Sequence, residues 1–184
     1  WCGSPRLGQR QRHLRSVCDP LSHTWHSGCM VPAPRVDVVI PVFNGAAYIR
    51  QSVRSALEQT GVDVQVIVVD DASTDNTVDA LRAMAEPRVT VLTGHPHEST
   101  CAARNRGVEA SDAPWLCFLD ADDLWPKGRT QALLEAITDA NTNIAMGYVN
   151  TFNGDDIPDL MSPAPSDTNL AVAACVGGTL TSRA

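Results

Sequence analysis

The 184 residues carry 14 Lys and Arg against 21 Asp and Glu, a formal net charge of −7, with 43% hydrophobic and 19% charged residues. That composition belongs to a folded chain long enough for one domain with a core, not to a disordered one. The acidic balance excludes a binder that relies on electrostatic attraction to a nucleic-acid backbone, and no stretch approaches the roughly 20 apolar residues of a membrane helix.

Residues 1–34 differ in character from the rest of the chain. They are basic, lack periodicity and begin at Trp1 rather than Met. Pattern starts just after Met30, so 1–34 is expected to be a disordered or non-native leader. Cys18, His23, His26 and Cys29 offer zinc-ligating chemistry, but the spacing C-x4-H-x2-H-x2-C fits no standard zinc module. Cysteines stand at 2, 18, 29, 101, 117 and 175. Those in the body show no CxxC spacing, and no apolar signal core precedes them. The expectation is reduced thiols in a cytoplasmic protein.

From residue 36 strands and helices alternate. "VDVVIPVF" (Val36–Phe43) reads as a buried strand. "AYIRQSVRSALEQT" reads as a helix with Ile49, Val53, Ala56 and Leu57 on one face, ended by Gly61. "VDVQVIVVDD" (Val62–Asp71) is a second strand. Ser73, Thr74 or Asp75 caps a second helix striped by Val78, Leu81 and Met84 or Ala85. Arg88–Gly94 is a third strand, Ser99–Ser111 a third helix, and "PWLCFLDADD" ends a fourth strand. "GRTQALLEAITDA" is a helix and Asn143–Val149 a strand. Beyond them lie a polar loop and, in "LAVAACVGGTLTSRA", a short helix and strand. This alternation predicts an α/β fold with a mostly parallel sheet, whose ligands gather beyond the carboxyl ends of the strands.

Two acidic clusters lie at such ends. Asp120 and Asp122 are two apart, so in an extended segment both carboxylates face one way. They suit a hard cation such as Mg²⁺ or Mn²⁺, although for "DADD" taken alone a polar loop capping the next helix is the preferred reading. Asp70 and Asp71 either shape a βα turn or accept hydrogen bonds from a base or ribose. Arg104 and Asn105 offer a phosphate or base contact, or a solvated helix face. His95 and His97 flank a proline in a loop.

The order of the pieces says more than any one of them. "VVIPVFNGAAYIRQSVRSALEQT", "VIVVDDASTDNT", "AARNRGVEAS" and "WLCFLDADDLWPKG" together resemble the family 2 glycosyltransferases. The resemblance covers about Val36–Asn150, and extends less fully to Ala184. It implies a GT-A, Rossmann-like three-layer αβα sandwich over 35–184, C-terminally truncated. It implies that Pro41, Val42, Phe43, Asn44, Asp71, Arg104 and Asp120 contact a nucleotide-sugar, with a UDP-sugar as the first expectation. Asp122 is the implied metal ligand, joined by Asp120 and Asp123, for Mn²⁺ or Mg²⁺. The implied reaction is inverting sugar transfer from a nucleoside diphosphate donor to an acceptor hydroxyl, in the cytoplasm or at the inner face of the membrane.

The family's catalytic base falls beyond a segment like "GGTLTSRA", so none is assigned; Asp155, Asp156 and Asp159 are loop acids. The chain is therefore expected to be a donor-binding fragment with little activity of its own. A noncatalytic nucleotide-sugar-binding module and a receiver-like signalling domain are the competing classes. The receiver class lacks the acid it needs after the third strand, which ends "VLTGHPH".

Overall fold

A computed structural model describes residues 32–94, 96–147 and, for the backbone alone, 179–182. Its elements are β1 (Arg35–Val42), α1 (Ile49–Leu57), β2 (Asp63–Asp70), α2 (Thr77–Arg82), β3 (Val89–Leu92), α3 (Thr100–Ala110), β4 (Trp115–Phe118), α4 (Arg129–Ala140), β5 (Ile144–Met146) and β6 (Thr179–Ser182). They form a sheet in the order β3-β2-β1-β4-β6-β5. β1 pairs in parallel with β2 and β4, and β2 with β3, while β6 runs antiparallel to β4 and β5.

The expected α/β fold with a mostly parallel sheet is the observed one. β1 is central, and all of it beyond Arg35 is buried. That is why it reads as a continuous β-branched run rather than an alternating one. Val36, Val38, Ile40 and Val42 pack with Val66 and Val68, with Ile49, Val53 and Ala56 of α1, and with Leu133, Leu134 and Ile137 of α4. On the opposite face Val39, Ile67, Val69 and Leu116 pack against Ala103 of α3. Each fully buried Val, Ile or Leu contributes about 1.5–3 kcal/mol relative to exposure, so these two cores define helix, sheet and helix layers.

The third helix lies closest to the sheet. An added Cβ at Gly107 would sit 2.3 Å from Cγ1 of Val39. Only a residue without a side chain allows that approach. Asp37, 1% exposed, accepts a 2.8 Å hydrogen bond from the Ser111 hydroxyl at the far end of α3.

Some boundaries differ from the pattern. α1 begins at Ile49, because Gly45–Tyr48 forms a turn in which Ile49 N donates to Gly45 O at 2.9 Å. α2 is shorter than its apolar stripe, with Leu81 buried and Met84 only partly so. Its N-cap is Asn76, without a side-chain cap bond, rather than Ser73, Thr74 or Asp75; Asp75 stands one residue earlier and accepts from Thr77 N at 3.0 Å. The largest correction concerns the fourth strand, which stops at Phe118. Asp120–Asp123 is a turn, closed by Asp123 N donating to Asp120 O at 3.1 Å. The extended geometry expected of Asp120 and Asp122 is therefore not the observed one. Three carboxylates in four residues favour a turn in which water reaches Asp122.

The zinc-type residues Cys18, His23, His26 and Cys29, the acids Asp155, Asp156 and Asp159, and His95 lie outside the described residues. Among those described, no helix is long and apolar enough to cross a membrane.

The contact between Gly107 and Val39 carries a prediction. Gly107→Ala gains helix propensity of about 1 kcal/mol. It nonetheless overpacks the β1–α3 contact, with a net loss expected of about 1–3 kcal/mol. Urea unfolding checks this through a lower midpoint at unchanged slope.

Candidate functional site

The chain runs β1, β2, β3 outward along the sheet, then returns through α3 to place β4 on the other side of β1. The strand order thus reverses between β1 and β4, and such a point opens a crevice at the carboxyl ends. Asp71, which follows β2, and Asp120, which follows β4, stand on either side of the end of β1.

Polar contacts stitch the loop after β1 to the loop after β2. Asn44 adopts φ 51°, and its amide donates to Ser73 Oγ at 2.9 Å, while its Oδ1 accepts from Thr74 N at 2.8 Å. Gly45 N donates to Thr77 Oγ1 at 2.9 Å, and Ala46 N to Asp75 Oδ2 at 3.1 Å. Thr77 Oγ1 in turn donates to Asp75, which holds that carboxyl below its ordinary range. Ala72, at φ 65°, is in the left-handed region, which costs a non-glycine residue about 1–2 kcal/mol. Backbone strain of this kind concentrates at functional sites.

Asp70 is buried, and its Oδ2 accepts from Ser73 N at 3.3 Å. It shapes the turn, as the plainer of its two sequence readings supposes. Asp71 is different. Its Oδ1 accepts from Glu98 N at 3.1 Å and lies 3.7 Å from Arg106 Nη1, and its Oδ2 is 3.0 Å from His97 Nδ1. Arg106 Nη2 also pairs with Glu98 Oε2 at 2.6 Å. The His97 ring lies 4.3 Å from the ring of Phe43, tilted by 35°. Phe43 is 48% exposed and lies just past β1, whereas Pro41 and Val42 are buried within the strand.

On the β4 side, Arg104 Nη2 meets Asp120 Oδ1 at 2.5 Å. Its buried Nε has no hydrogen-bond partner. Asp122 is exposed. The Asp123 carboxyl is pushed up by burial and then by the charges of Asp120 and Asp122. Helix α1 holds this turn and the loop after it. Ser52 Oγ donates to Ala121 O at 2.6 Å, Trp125 N donates to Ser55 Oγ at 3.1 Å, and the Gln59 amide bridges Pro126 O at 2.8 Å and Thr130 N at 3.0 Å. The Arg129 guanidinium lies 4.3 Å from the Trp125 ring centroid, closing the segment. Burial pushes the Cys117 thiol up to about 12, so it stays protonated in the core.

Past the carboxyl ends of β1, β2 and β4 the structure places Phe43 and Asn44, then Asp71, then Asp120, Asp122 and Asp123, with Arg104 paired to Asp120 and Asn105 exposed on α3. The sequence reading left out Arg106 and Glu98, which hold Asp71, and Ser52, Ser55 and Gln59, which hold the acidic turn. The signal for the last three was present in part: Ser52 interrupts the apolar face of α1, and Ser55 and Gln59 continue its polar spacing at i+3 and i+7 to just past the helix end. No signal short of the fold pairs Arg106 with Asp71.

An oxygen-only acidic turn suits a hard divalent cation, which would offset the repulsion among its three carboxylates. Among the described residues no group of three or more His, Cys, Asp or Glu side chains is disposed to hold a metal. A cation here would draw one or two carboxylates from the protein and complete its shell elsewhere.

A mostly parallel sheet with acids at the β1/β4 switch point defines an α/β protein of the class that binds ligands beyond the carboxyl ends of its strands. The model of glycosyl transferase family 2 matches residues 37–169, and the chain belongs to that family. It is 34% identical over 150 residues to the succinoglycan biosynthesis protein ExoO of Rhizobium meliloti (strain 1021), covering 74% of this chain and 43% of that protein. Across the first relatives matched, the chain spans 43%, 38% and 41% of their length. Among solved structures it resembles S. aureus TarS 1–349 in complex with UDP, with a TM-score of 0.60 at 22% identity, covering 67% of this chain and 38% of that one. It also resembles the mannosyltransferase PcManGT from Pyrobaculum calidifontis in complex with GDP-Man and Mn²⁺, with a TM-score of 0.55 at 30% identity, covering 60% and 34%.

Asp123 sets a pH dependence. A carboxyl whose pKa is raised on folding favours the fold below its unfolded pKa, and that contribution is lost as pH rises through the folded value. In metal-free buffer Asp123→Asn is expected to raise the melting temperature at pH 7. The gain disappears below the ordinary carboxylate range of about 3.8, which calorimetry across pH 3–8 reads directly. Separately, Gln59→Ala leaves the buried Thr130 N without its partner and Pro126 O with only the 3.3 Å bond from Arg129 N. It is expected to cost about 1–3 kcal/mol in denaturant unfolding.

Proposed function

We propose that this chain forms the donor-binding part of a glycosyltransferase that moves a sugar from a nucleoside diphosphate to an acceptor hydroxyl with inversion. The observation that carries the reading is the placement of Asp71 and Asp120 on either side of the β1 end, at the switch point of a family 2 sheet. In this reading Asp71 accepts a hydrogen bond from the base, and the loop Pro41–Val42–Phe43–Asn44 lines the nucleotide pocket. With Pro41 and Val42 buried, that lining falls to Phe43, Asn44 and the backbone. Arg104 supplies positive charge beside Asp120, which holds the ribose.

Asp122 is the foremost metal ligand because water already reaches it, with Asp120 and Asp123 beside it. Mn²⁺ or Mg²⁺ bound there would offset the charge growing on the departing diphosphate. The protein's part is to present oxygen ligands and to keep the turn in place through Ser52, Ser55 and Gln59. No described residue is assigned as the base that takes the acceptor proton.

A UDP-sugar is the proposed donor. The UDP complex of TarS supports it, and the GDP-Man complex of PcManGT makes GDP the alternative. Nucleotide-sugar donors put the reaction in the cytoplasm, and a lipid-linked acceptor would place it at the inner face of the membrane.

Calorimetric titration with UDP, GDP and dTDP, each with and without Mn²⁺, tests this. One nucleotide, expected to be UDP, should bind with strong dependence on the metal. Asp122→Ala should weaken that binding by at least about tenfold, or 1.4 kcal/mol. Unchanged affinity in that variant would rule out the metal assignment.

A further inference from the structure

The Asp71 carboxylate and the Phe43 ring are already in contact with one side chain. His97 Nδ1 lies 3.0 Å from Asp71 Oδ2 and 3.0 Å from the Asp71 main-chain oxygen. The carbonyl oxygen only accepts, so Nδ1 carries the hydrogen and is shared between the two oxygens. The same ring rests 4.3 Å from Phe43. A flat heteroaromatic ring thus makes both contacts expected of a nucleobase: one face toward an aromatic ring, and a ring N–H donated to a carboxylate.

We infer that His97 is an internal stand-in for the base, occupying its place on Phe43 and Asp71 and leaving when nucleotide binds. The inference rests on the proposed role of Asp71. Asp71 Oδ1 accepts from the Glu98 amide and Oδ2 meets the His97 ring, so the carboxylate stays satisfied without ligand. A base with an imide N–H, laid on Phe43 and aimed at Oδ2, would overlap the imidazole. The imidazole can give way, because the His97 side chain is 56% exposed and can turn into water. Glu98 N and Arg106 hold Oδ1 from the other side and keep the carboxylate aimed while the imidazole departs.

This makes His97 a determinant of nucleotide affinity, in the direction opposite to that of a binding residue. Apparent affinity is reduced by the fraction of molecules in which the site is open. If the imidazole is seated nine-tenths of the time, removing it tightens binding about tenfold.

Four titrations with UDP and Mn²⁺ decide the matter: the wild type, His97→Ala, Asp71→Ala and the double variant. His97→Ala is expected to bind UDP about threefold to tenfold more tightly. Asp71→Ala is expected to bind more weakly, and adding His97→Ala to it should restore little. Equal or weaker binding by His97→Ala overturns the inference while leaving Asp71 in its role. Unchanged binding by Asp71→Ala overturns both, and identifies the base contact as the failed premise. NMR of the ¹⁵N-labelled imidazole adds a readout without substitution. Saturating UDP should shift the His97 ring nitrogens as Nδ1–H leaves Asp71, and a ring signal that stays in place counts against the stand-in.

Discussion

The close contact of Gly107 with Val39 governs the arrangement around the crevice. It brings α3 against β1, with Ala103 one turn earlier on the same face. Successive residues of a helix are about 100° apart. Arg104 and Arg106, each next to one of these inward residues, therefore lean to opposite sides of the contact line. One reaches Asp120 past β4, and the other Asp71 past β2. A bulkier residue at 107 would lift the helix and draw both guanidinium groups from their carboxylates together. The two halves of the site depend on one missing side chain.

The second constraint is charge. Asp71, Glu98, Asp120, Asp122 and Asp123 bring five acidic side chains to these strand ends, and Arg104 and Arg106 return two positive charges. The offset is uneven. Asp71 is enclosed by Arg106, His97 and the Glu98 amide, while Asp120 has Arg104. Asp122 stands in water, and Asp123 carries the strain as a raised carboxyl. The excess of negative charge sits on the acidic turn, where a divalent cation would be of most use. On the Asp71 side the carboxylate is held within the fold by Glu98 N and His97, while the buried Arg106 Nη1 has no hydrogen-bond partner.

The acidic turn owes its position to α1. Buried Ser52 and half-buried Ser55 on this helix, and buried Gln59 just past its end, send their hydrogen bonds to the segment Ala121–Thr130. Buried polar groups keep their place only when partnered. The hydroxyls and the amide therefore fix the register of a loop with little regular structure of its own. The same helix packs the core through Ile49, Val53 and Ala56. Loosening it would disturb the site before any site residue was touched.

Much of this was legible in the residues alone. The buried runs of β1 and β2, the apolar stripe of α1, and the acids at strand ends arise from local period and composition. Such properties belong to neighbours in sequence. They establish the α/β alternation and place Asp71 and Asp120 at the ends of strands. What they could not show is contact between residues far apart in the chain. The β4–β1 register ends at Phe118 opposite Val39, three residues short of the end of β1, and this turns "DADD" from an extended segment into a turn. The pairing of Arg106 with Asp71, and the seating of His97 on Phe43, likewise arise only when α3 crosses back over β1. Side-chain period is a local property of the backbone, whereas partnership depends on which strands become neighbours, and that is decided when the whole sheet assembles.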